Sequence, residues 1–255
     1  MNGDLHPQPR RPARRPTAPP SDGPTGDGHG AGLTFQVDGG LLSFDAQAVV
    51  VAGFTGRDRA DVRRHVEELA AEGVAPPPTV PAFYVLPPSA LTRAGVLWAV
   101  RPRTSGEAEI ALLVDGDDMY VTLASDHTDR GVEAVDIALS KEVCPKPIAR
   151  VAWPYADVAD RWDSLRLRSW VLEAGERRLY QDGYAKALLP PGELLRRMPL
   201  PPDVRRFVVL TGTVPALGGI RPGDGFWAEL GDGEGERTIE LDYAVRCLER
   251  VEVEA

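Results

Sequence analysis

Very little in this sequence suits an extracellular or membrane setting. Only two of its 255 residues are cysteine, Cys144 and Cys247, far apart and outside any paired motif. That fits a reducing compartment in which both thiols are buried or idle. No apolar run approaches the roughly 18 residues that a membrane helix needs. The first residues lack the apolar centre of a secretory signal. A cytoplasmic location without membrane contact is therefore the expectation. Basic charge is scarce as well. The 29 Lys and Arg are outnumbered by 38 Asp and Glu, for a formal charge of −9. With no basic face in the body of the chain, a nucleic-acid partner is not expected.

What the chain does have is apolar material for a sizeable core, 43% of its residues. Its length suits one large domain, or one domain and a tail. Residues 1–32 stand apart: seven prolines, six glycines and the pairs Arg10-Arg11 and Arg14-Arg15, with almost no large apolar side chain. Such a stretch cannot bury enough surface to offset its ordering entropy, and it reads as a disordered tail. Its arginines could touch an acidic partner or simply be solvated. Residues 33–255 read as a single domain.

The pattern within that domain is mostly strands. Leu33–Val37 and Leu41–Phe44 flank Asp38-Gly39-Gly40 as a hairpin. Val49-Val50-Val51 is a short apolar strand. A helix is expected over Asp58–Ala71, capped by Asp58, with Val62, Val66 and Leu69 as its apolar stripe. Strands are expected at Glu107–Val114 and Met119–Ala124, and then a helix over Val132–Leu139 with Val132, Val135 and Leu139 on one face. Strands at Leu165–Leu172 and Arg177–Tyr180 come before a short helix near Gly192–Arg197. The last third reads as strands Phe207–Leu210, Gly225–Leu230 and Thr238–Arg246. Many strands and few helices mean α+β, mainly β, and not a doubly wound parallel sheet.

Several polar clusters interrupt this pattern. In Glu107-Ala-Glu109 the two acids point to the same face of a strand. The following residues, Ile110–Val114, are continuously apolar, so the strand is expected to be buried. Two buried carboxylates without cations at neighbouring inward positions repel, and a divalent cation resolves that repulsion. An ordinary solvent-facing strand start is the other reading. Ser125-Asp-His-Thr-Asp-Arg130 lies between a strand and a helix, where sites concentrate, although Thr128 or Asp129 could simply cap the helix. Lys141 follows, in a position to interact with a helix C-terminus. Thr211-Gly-Thr213, Gly218-Gly219 and Arg221-Pro-Gly-Asp224 form a small-residue stretch that lets backbone approach a ligand, or turns the chain. No lysine follows in the phosphate-loop spacing.

In their order, these segments resemble the fumarylacetoacetate hydrolase superfamily. Its members carry an E-x-E pair on a strand, then N-D-x-S-x-R-D, a G-K segment, a glutamine after N-G-E, T-G-T-P-A-G-V-G and P-G-D-x-x-x-x-E. Here these are Glu107-Ala-Glu109, Ser125-Asp126-His-Thr128-Asp-Arg130, Ser140-Lys141, Gly175-Glu176 with Gln181, Thr211-Gly212-Thr213-Val-Pro-Ala-Leu-Gly218, and Pro222-Gly223-Asp224 with Glu229. Gly53-Phe-Thr-Gly-Arg-Asp58 is similar to the early G-x-N-Y segment. The likeness spans about Gly53 to Val245 and is nearest to a functionally uncharacterised bacterial branch.

The resemblance implies a mixed β-sandwich or roll with a few helices, and a homodimer. It implies that Glu107, Glu109 and Asp126 bind Mg²⁺ or Mn²⁺, and hard oxygen ligands suit such ions. Lys141 would face the substrate, while Gln181, Thr213, Gly212 and Arg130 would serve substrate binding. The implied chemistry is hydrolysis, decarboxylation or tautomerisation of a small oxo-acid or β-dicarbonyl substrate through a metal-stabilised enolate. A non-catalytic ligand-binding relative is the alternative. The sequence also departs from the pattern. Arg59 stands where the family often has histidine. His65 and Glu68, three apart on the same helix face, are candidate substitutes for the missing water-activating pair, and His127 is a second candidate base. Cys144 replaces a frequent aspartate, and Gly131 replaces the last aspartate of the third-ligand motif. Only 16 residues separate Glu109 from Asp126, shorter than usual.

Overall fold

The computed structural model describes residues 32–71, 76–233, 235 and 237–248. Apart from Gly32, the segment expected to be a disordered tail lies outside those residues. The chain opens with a hairpin of β1 (Leu33–Val37) and β2 (Gly40–Phe44). Its turn residues Asp38 and Gly39 have φ of 44° and 78°, the left-handed pair that follows the twist of the strands. Next come β3 (Ala48–Gly53) and α1 (Arg59–Ala71). Asp58 caps α1 as expected, its Oδ1 accepting from the N–H groups of Ala60 at 2.7 Å and Asp61 at 3.3 Å. Val62 is buried and Val66 half-buried, whereas the side chain of Leu69 lies outside the description.

After α1 come β4 (Ala82–Leu86), β5 (Leu91–Thr92), β6 (Val96–Ala99) and β7 (Thr104–Ser105). None of these was expected, because prolines and short length hide them. The paired strands β8 (Ala108–Asp115) and β9 (Asp118–Ser125) fall where the sequence places them, and β10 (Thr128–Asp129) follows.

The expected helix over Val132–Leu139 is corrected. The chain forms two short helices, α2 (Arg130–Glu133) and α3 (Ile137–Glu142), divided at Asp136. The Asp136 carboxylate accepts from the Leu139 N–H at 2.9 Å, and a cap of that kind competes with a continuing helix. Asp129 caps α2 through the N–H groups of Gly131 and Val132. The presumed apolar face is not the buried one: Val135 is 87% exposed, while Ser140 and Lys141 are buried.

Beyond α3 lie β11 (Lys146–Pro147), β12 (Trp153–Pro154), β13 (Arg166–Glu173), β14 (Glu176–Tyr184) and α4 (Pro191–Leu195). The last strands are β15 (Arg206–Thr213), β16 (Gly225–Gly231) and β17 (Thr238–Cys247). Two sheets organise the domain. One has six strands in the order β12-β9-β8-β15-β3-β4, the other five in the order β14-β13-β16-β17-β6. Each contains one parallel pairing, β15 with β3 and β17 with β6. This is the α+β, mainly β architecture that the pattern implied.

The sheets pack face to face over one core. It includes Ile110, Leu112 and Leu123 from the first sheet and Leu167, Phe226, Leu230 and Leu241 from the second. The other face of the six-stranded sheet is covered too. Ala111, Leu113, Val208 and Leu210 pack there with Phe35 and Phe44 of the hairpin. Strand β8 is therefore buried on both sides, which explains why its sequence is apolar without alternation. Among the described residues no helix is long and apolar enough to cross a membrane.

Ile110 lies fully buried between the sheets. Ile110→Ala is expected to cost about 2–5 kcal/mol, as a large-to-small change that leaves a cavity. Urea unfolding followed by tryptophan fluorescence measures it.

Candidate functional site

Strand alternation sorts the polar residues at the ends of β8 and β9 onto opposite faces. Glu109 shares its side with Ala111 and Leu113, away from the inter-sheet core. Across the pair it stands opposite Ala124. Two residues further on, Asp126 points the same way. Ser125 and His127 point the other way, into the inter-sheet core. There the Tyr243 hydroxyl meets Ser125 Oγ at 2.9 Å and His127 Nδ1 at 3.0 Å. This corrects the expectation for His127 as a base beside the metal ligands. It lies next to Asp126 in sequence but faces the far side of the sheet. Burial, then the nearby Lys146 and Arg130 charges, push its imidazole down to about 3, so it is neutral at any physiological pH.

On the Glu109 side an unbroken chain of alternating charges has formed. Arg130 holds Glu107 at 3.0 Å and Glu133 at 2.6 Å. Lys141 bridges Glu133 at 3.2 Å and Asp126 at 2.7 Å. Lys146 reaches the second oxygen of Asp126 at 3.0 Å and donates to the His127 carbonyl at 2.7 Å. Nearly all of it is out of water: Asp126, Lys141 and Lys146 are buried. Burial alone would raise the Asp126 carboxyl, but the two ammonium groups outweigh it and hold the carboxyl far below its usual range. Lys141 is raised in return, its burial overcome by Asp126 and Glu133. The sequence shows no cation beside the two glutamates on their strand. The structure supplies three from the segment after β9.

Glu109 stands beside this chain and outside it. Its Oε2 accepts from the Gly212 N–H at 2.7 Å. Burial first, then the charges of Asp126 and Glu107, raise its carboxyl well above the ordinary range. It is the one strongly destabilised anion of the group. Gly212 makes that contact possible at a β-bulge, where the register of β15 against β8 shifts between Leu210 and Thr213. Its φ is +96°, and a Cβ there would lie 1.9 Å from Thr55 Oγ1. Thr55 belongs to the Gly53–Asp58 segment, which is thereby brought against the site.

The other expected substrate contacts are engaged within the protein. Gln181 is fully buried, and its Oε1 accepts from the Ala108 N–H and from Ser169 Oγ. Its Nε2 donates to Thr213 Oγ1 at 2.6 Å and to the Val214 carbonyl at 2.8 Å. All four hydrogen-bonding positions of the amide are used. Thr213 Oγ1 in turn donates to the Ala108 carbonyl at 2.6 Å. The pair ties β14 to the bulge that holds Glu109. His65 and Glu68 lie on α1, but their side chains lie outside the description.

Sequence reasoning missed Glu133, Lys146 and Tyr243. Glu133 had a signal, since it stands three residues after Arg130 on a helix. Lys146 and Tyr243 had none, because each arrives by tertiary packing. Among the described residues no group of three or more His, Cys, Asp or Glu side chains is arranged to hold a metal ion. Lys141 Nζ lies between the Asp126 and Glu133 carboxylates.

A sequence profile for DUF2848, described as a protein of unknown function, matches residues 52–243. The chain belongs to this family. No curated protein matches the sequence. Solved structures do match the fold of this DUF2848 chain. One is a protein from Yersinia pestis CO92 provisionally assigned to the fumarylacetoacetate hydrolase family, at 20% identity and TM-score 0.56 over 82% of this chain and 97% of that one. A yeast fumarylacetoacetate hydrolase family protein matches at 18% identity and TM-score 0.52 over 79% and 94%. A 2-keto-3-deoxyarabinonate dehydratase matches at 16% identity and TM-score 0.55 over 84% and 79%. The DUF2848 chain thus has the fold of the fumarylacetoacetate hydrolase superfamily, as its motif order implied.

Two outcomes follow for the site. Gly212→Ala is expected to destabilise by about 2 kcal/mol or more, through left-handed strain and the clash with Thr55. Gly175→Ala is the control, having φ of +82° with nothing within 4 Å of its Cβ, and it should carry the strain alone. Chemical denaturation of both variants measures the difference. The second outcome concerns pH. A carboxyl raised in the fold keeps its proton where the unfolded chain releases it. Its contribution is full below about 4.3 and is lost as pH rises through the folded value. The melting temperature of chelator-treated protein should therefore fall as pH rises above about 5. In Glu109→Gln that slope should flatten, with higher stability at the alkaline end.

Proposed function

We propose that this chain is a divalent-metal-dependent enzyme acting on a small oxo acid or β-dicarbonyl compound, as a C–C bond hydrolase, decarboxylase or tautomerase. The observation that supports this most is Glu109. A carboxylate buried beside two others, outside the ion-pair chain that neutralises its neighbours, is costly for folding alone and useful for holding a cation. The fit of Mg²⁺ or Mn²⁺ rests on the donors, since Glu107, Glu109 and Asp126 offer only hard oxygens. It requires the Lys141 ammonium to leave Asp126 Oδ2. When bound, such an ion would supply electrophilic stabilisation of adjacent substrate oxygens.

The chain's own residues have separable tasks in this reading. Lys141, released from Asp126, would carry its charge toward the substrate carboxylate. Lys146 would remain on Asp126 Oδ1 and fix that carboxylate's orientation. Arg130 would hold Glu107 in place from behind. Gln181 and Thr213 would act by keeping the Gly212 bulge in register, since their polar atoms are already bonded. His65 and Glu68 on α1 are the candidates for proton transfer at a substrate carbon, in place of the family's usual pair. A cytoplasmic setting and a homodimer complete the proposal.

A second reading has its own support. Asp126 already has an ammonium on each oxygen, an arrangement stable without any ion. A non-catalytic relative that keeps the fold and binds a small acid through Lys141 would look the same.

Calorimetric titration of Mg²⁺ and Mn²⁺ into chelator-stripped protein separates the two. Saturable binding that Glu109→Gln abolishes is the expected outcome, followed by turnover of an acylpyruvate or oxaloacetate with the ion present. If neither ion binds, with or without oxalate as a substrate mimic, the metal-enzyme reading fails.

A further inference from the structure

Three polar side chains lie in the otherwise apolar core between the sheets. Ser125 and His127 enter it from the end of β9 and Tyr243 from β17, and all three are buried. The Tyr243 ring packs on Phe226 with centres 5.5 Å apart. It stands at 75° to the His127 ring, 5.6 Å away. Buried polar groups are costly unless they are hydrogen-bonded. Here the cost is only partly offset. Tyr243 joins the other two, but His127 Nε2 has no hydrogen-bond partner among the described residues. A core built for stability alone does better with apolar side chains at such positions. The cluster calls for a task other than packing.

The placement of these groups supplies one. Neighbours on an extended segment alternate in side, so Ser125 and His127 bracket Asp126, and fixing both from one face fixes Asp126 on the other. One oxygen holds both. The Tyr243 hydroxyl is 2.9 Å from Ser125 Oγ and 3.0 Å from His127 Nδ1. A phenol can donate once and accept as well, so beside a neutral imidazole and a serine hydroxyl both contacts are hydrogen bonds. Burial raises the phenol far above its ordinary range, so it keeps its proton. The same hydroxyl also reaches the start of the strand that carries the glutamates. A Cβ on Gly106 would run into the Tyr243 oxygen and lie 2.8 Å from Ser125 Oγ, so both hydroxyls press on the backbone just before Glu107. The Glu107 carbonyl in turn accepts from the Asp126 N–H at 2.9 Å. His127 adds a second route, since its carbonyl receives Lys146, whose ammonium also binds Asp126 Oδ1.

We infer that the Tyr243 hydroxyl is a positioning group for the carboxylate site, fixing Asp126 and Glu107 from the opposite side of the six-stranded sheet. It touches neither carboxylate. Its effect passes through Ser125, His127 and the backbone at Gly106. Groups one step removed from a binding side chain commonly set the affinity of a site, because they fix the orientation of that side chain. The consequence for a divalent ion rests on the proposed function. The positioning itself rests on these contacts alone.

The test compares Tyr243→Phe, which keeps the ring and removes the hydroxyl, with Ile239→Val, which trims the same core further back on β17. If circular dichroism shows Tyr243→Phe unfolded, Ser125→Ala takes its place, since it removes one of the two links. Two readouts are taken on the full chain after chelator treatment. The first is exchange of the Asp126 amide hydrogen, followed by nuclear magnetic resonance. In Tyr243→Phe it is expected to quicken by about tenfold or more relative to the Leu112 amide, and in Ile239→Val it is not. The second is calorimetric titration of Mn²⁺. The affinity is expected to fall by about 10- to 100-fold in Tyr243→Phe and to stay within about twofold in Ile239→Val. Unchanged Asp126 exchange in Tyr243→Phe overturns the inference. So does equal quickening in Ile239→Val, which would mark a general loosening of the core. A wild type that binds Mn²⁺ no more tightly than Tyr243→Phe overturns it too. If the wild type binds no Mn²⁺, with oxalate or without, the metal-enzyme reading fails and the exchange result alone decides this one.

Discussion

The paired ammonium groups on Asp126 are the constraint from which the rest of the site follows. A carboxylate that deep in the protein survives as an anion only with compensation at both oxygens, and Lys141 and Lys146 provide it. Those lysines come from α3 and β11, so the chain between β9 and β12 must fold back over the strand ends. Once it does, Glu133 neutralises the far side of Lys141 and Arg130 joins Glu133 to Glu107. Removal of one cation would strand an anion, and the disturbance would pass along the series. Glu109 escapes this neutralisation, and burial beside Asp126 and Glu107 raises its carboxyl.

The sandwich supports that arrangement from both sides. β8 carries Glu109 on a strand buried by the second sheet on one face and by the N-terminal hairpin on the other. Gln181 and Thr213 stitch β14 to the bulge at Gly212, and the bulge in turn presents an N–H to Glu109. The geometry of one carboxylate thus depends on contacts from β8, β14 and β15. A scaffold of this kind fixes the orientation of a buried side chain from several strands at once.

Much of this was legible in the sequence, for identifiable reasons. Asp38-Gly39 marks a hairpin because few other pairs adopt two left-handed conformations. The run Ile110–Val114 announces a strand covered on both faces, and motif order located the carboxylates and Lys141. The helix over Val132–Leu139 was misjudged because apolar spacing was weighed above Asp136, whose side chain caps a new helix and breaks the old one. The short strands β4 to β7 carry too few residues for periodicity to register. Lys146 was invisible because its partner is set by a two-residue parallel pairing with β5. The placement of His127 was recoverable: neighbours on an extended chain cannot share a face.

That same alternation has an evolutionary edge. Ser125, Asp126 and His127 are assigned to their two sides by parity alone. Insertion or loss of one residue between Met119 and Asp126 would turn the carboxylate toward Tyr243 and the imidazole toward Lys141. Both groups would then be in the wrong solvent and the wrong ionisation state. Substitutions can be sampled along this stretch one at a time, but changes of length cannot, so natural relatives that keep the site should be found to vary in composition here and never in count.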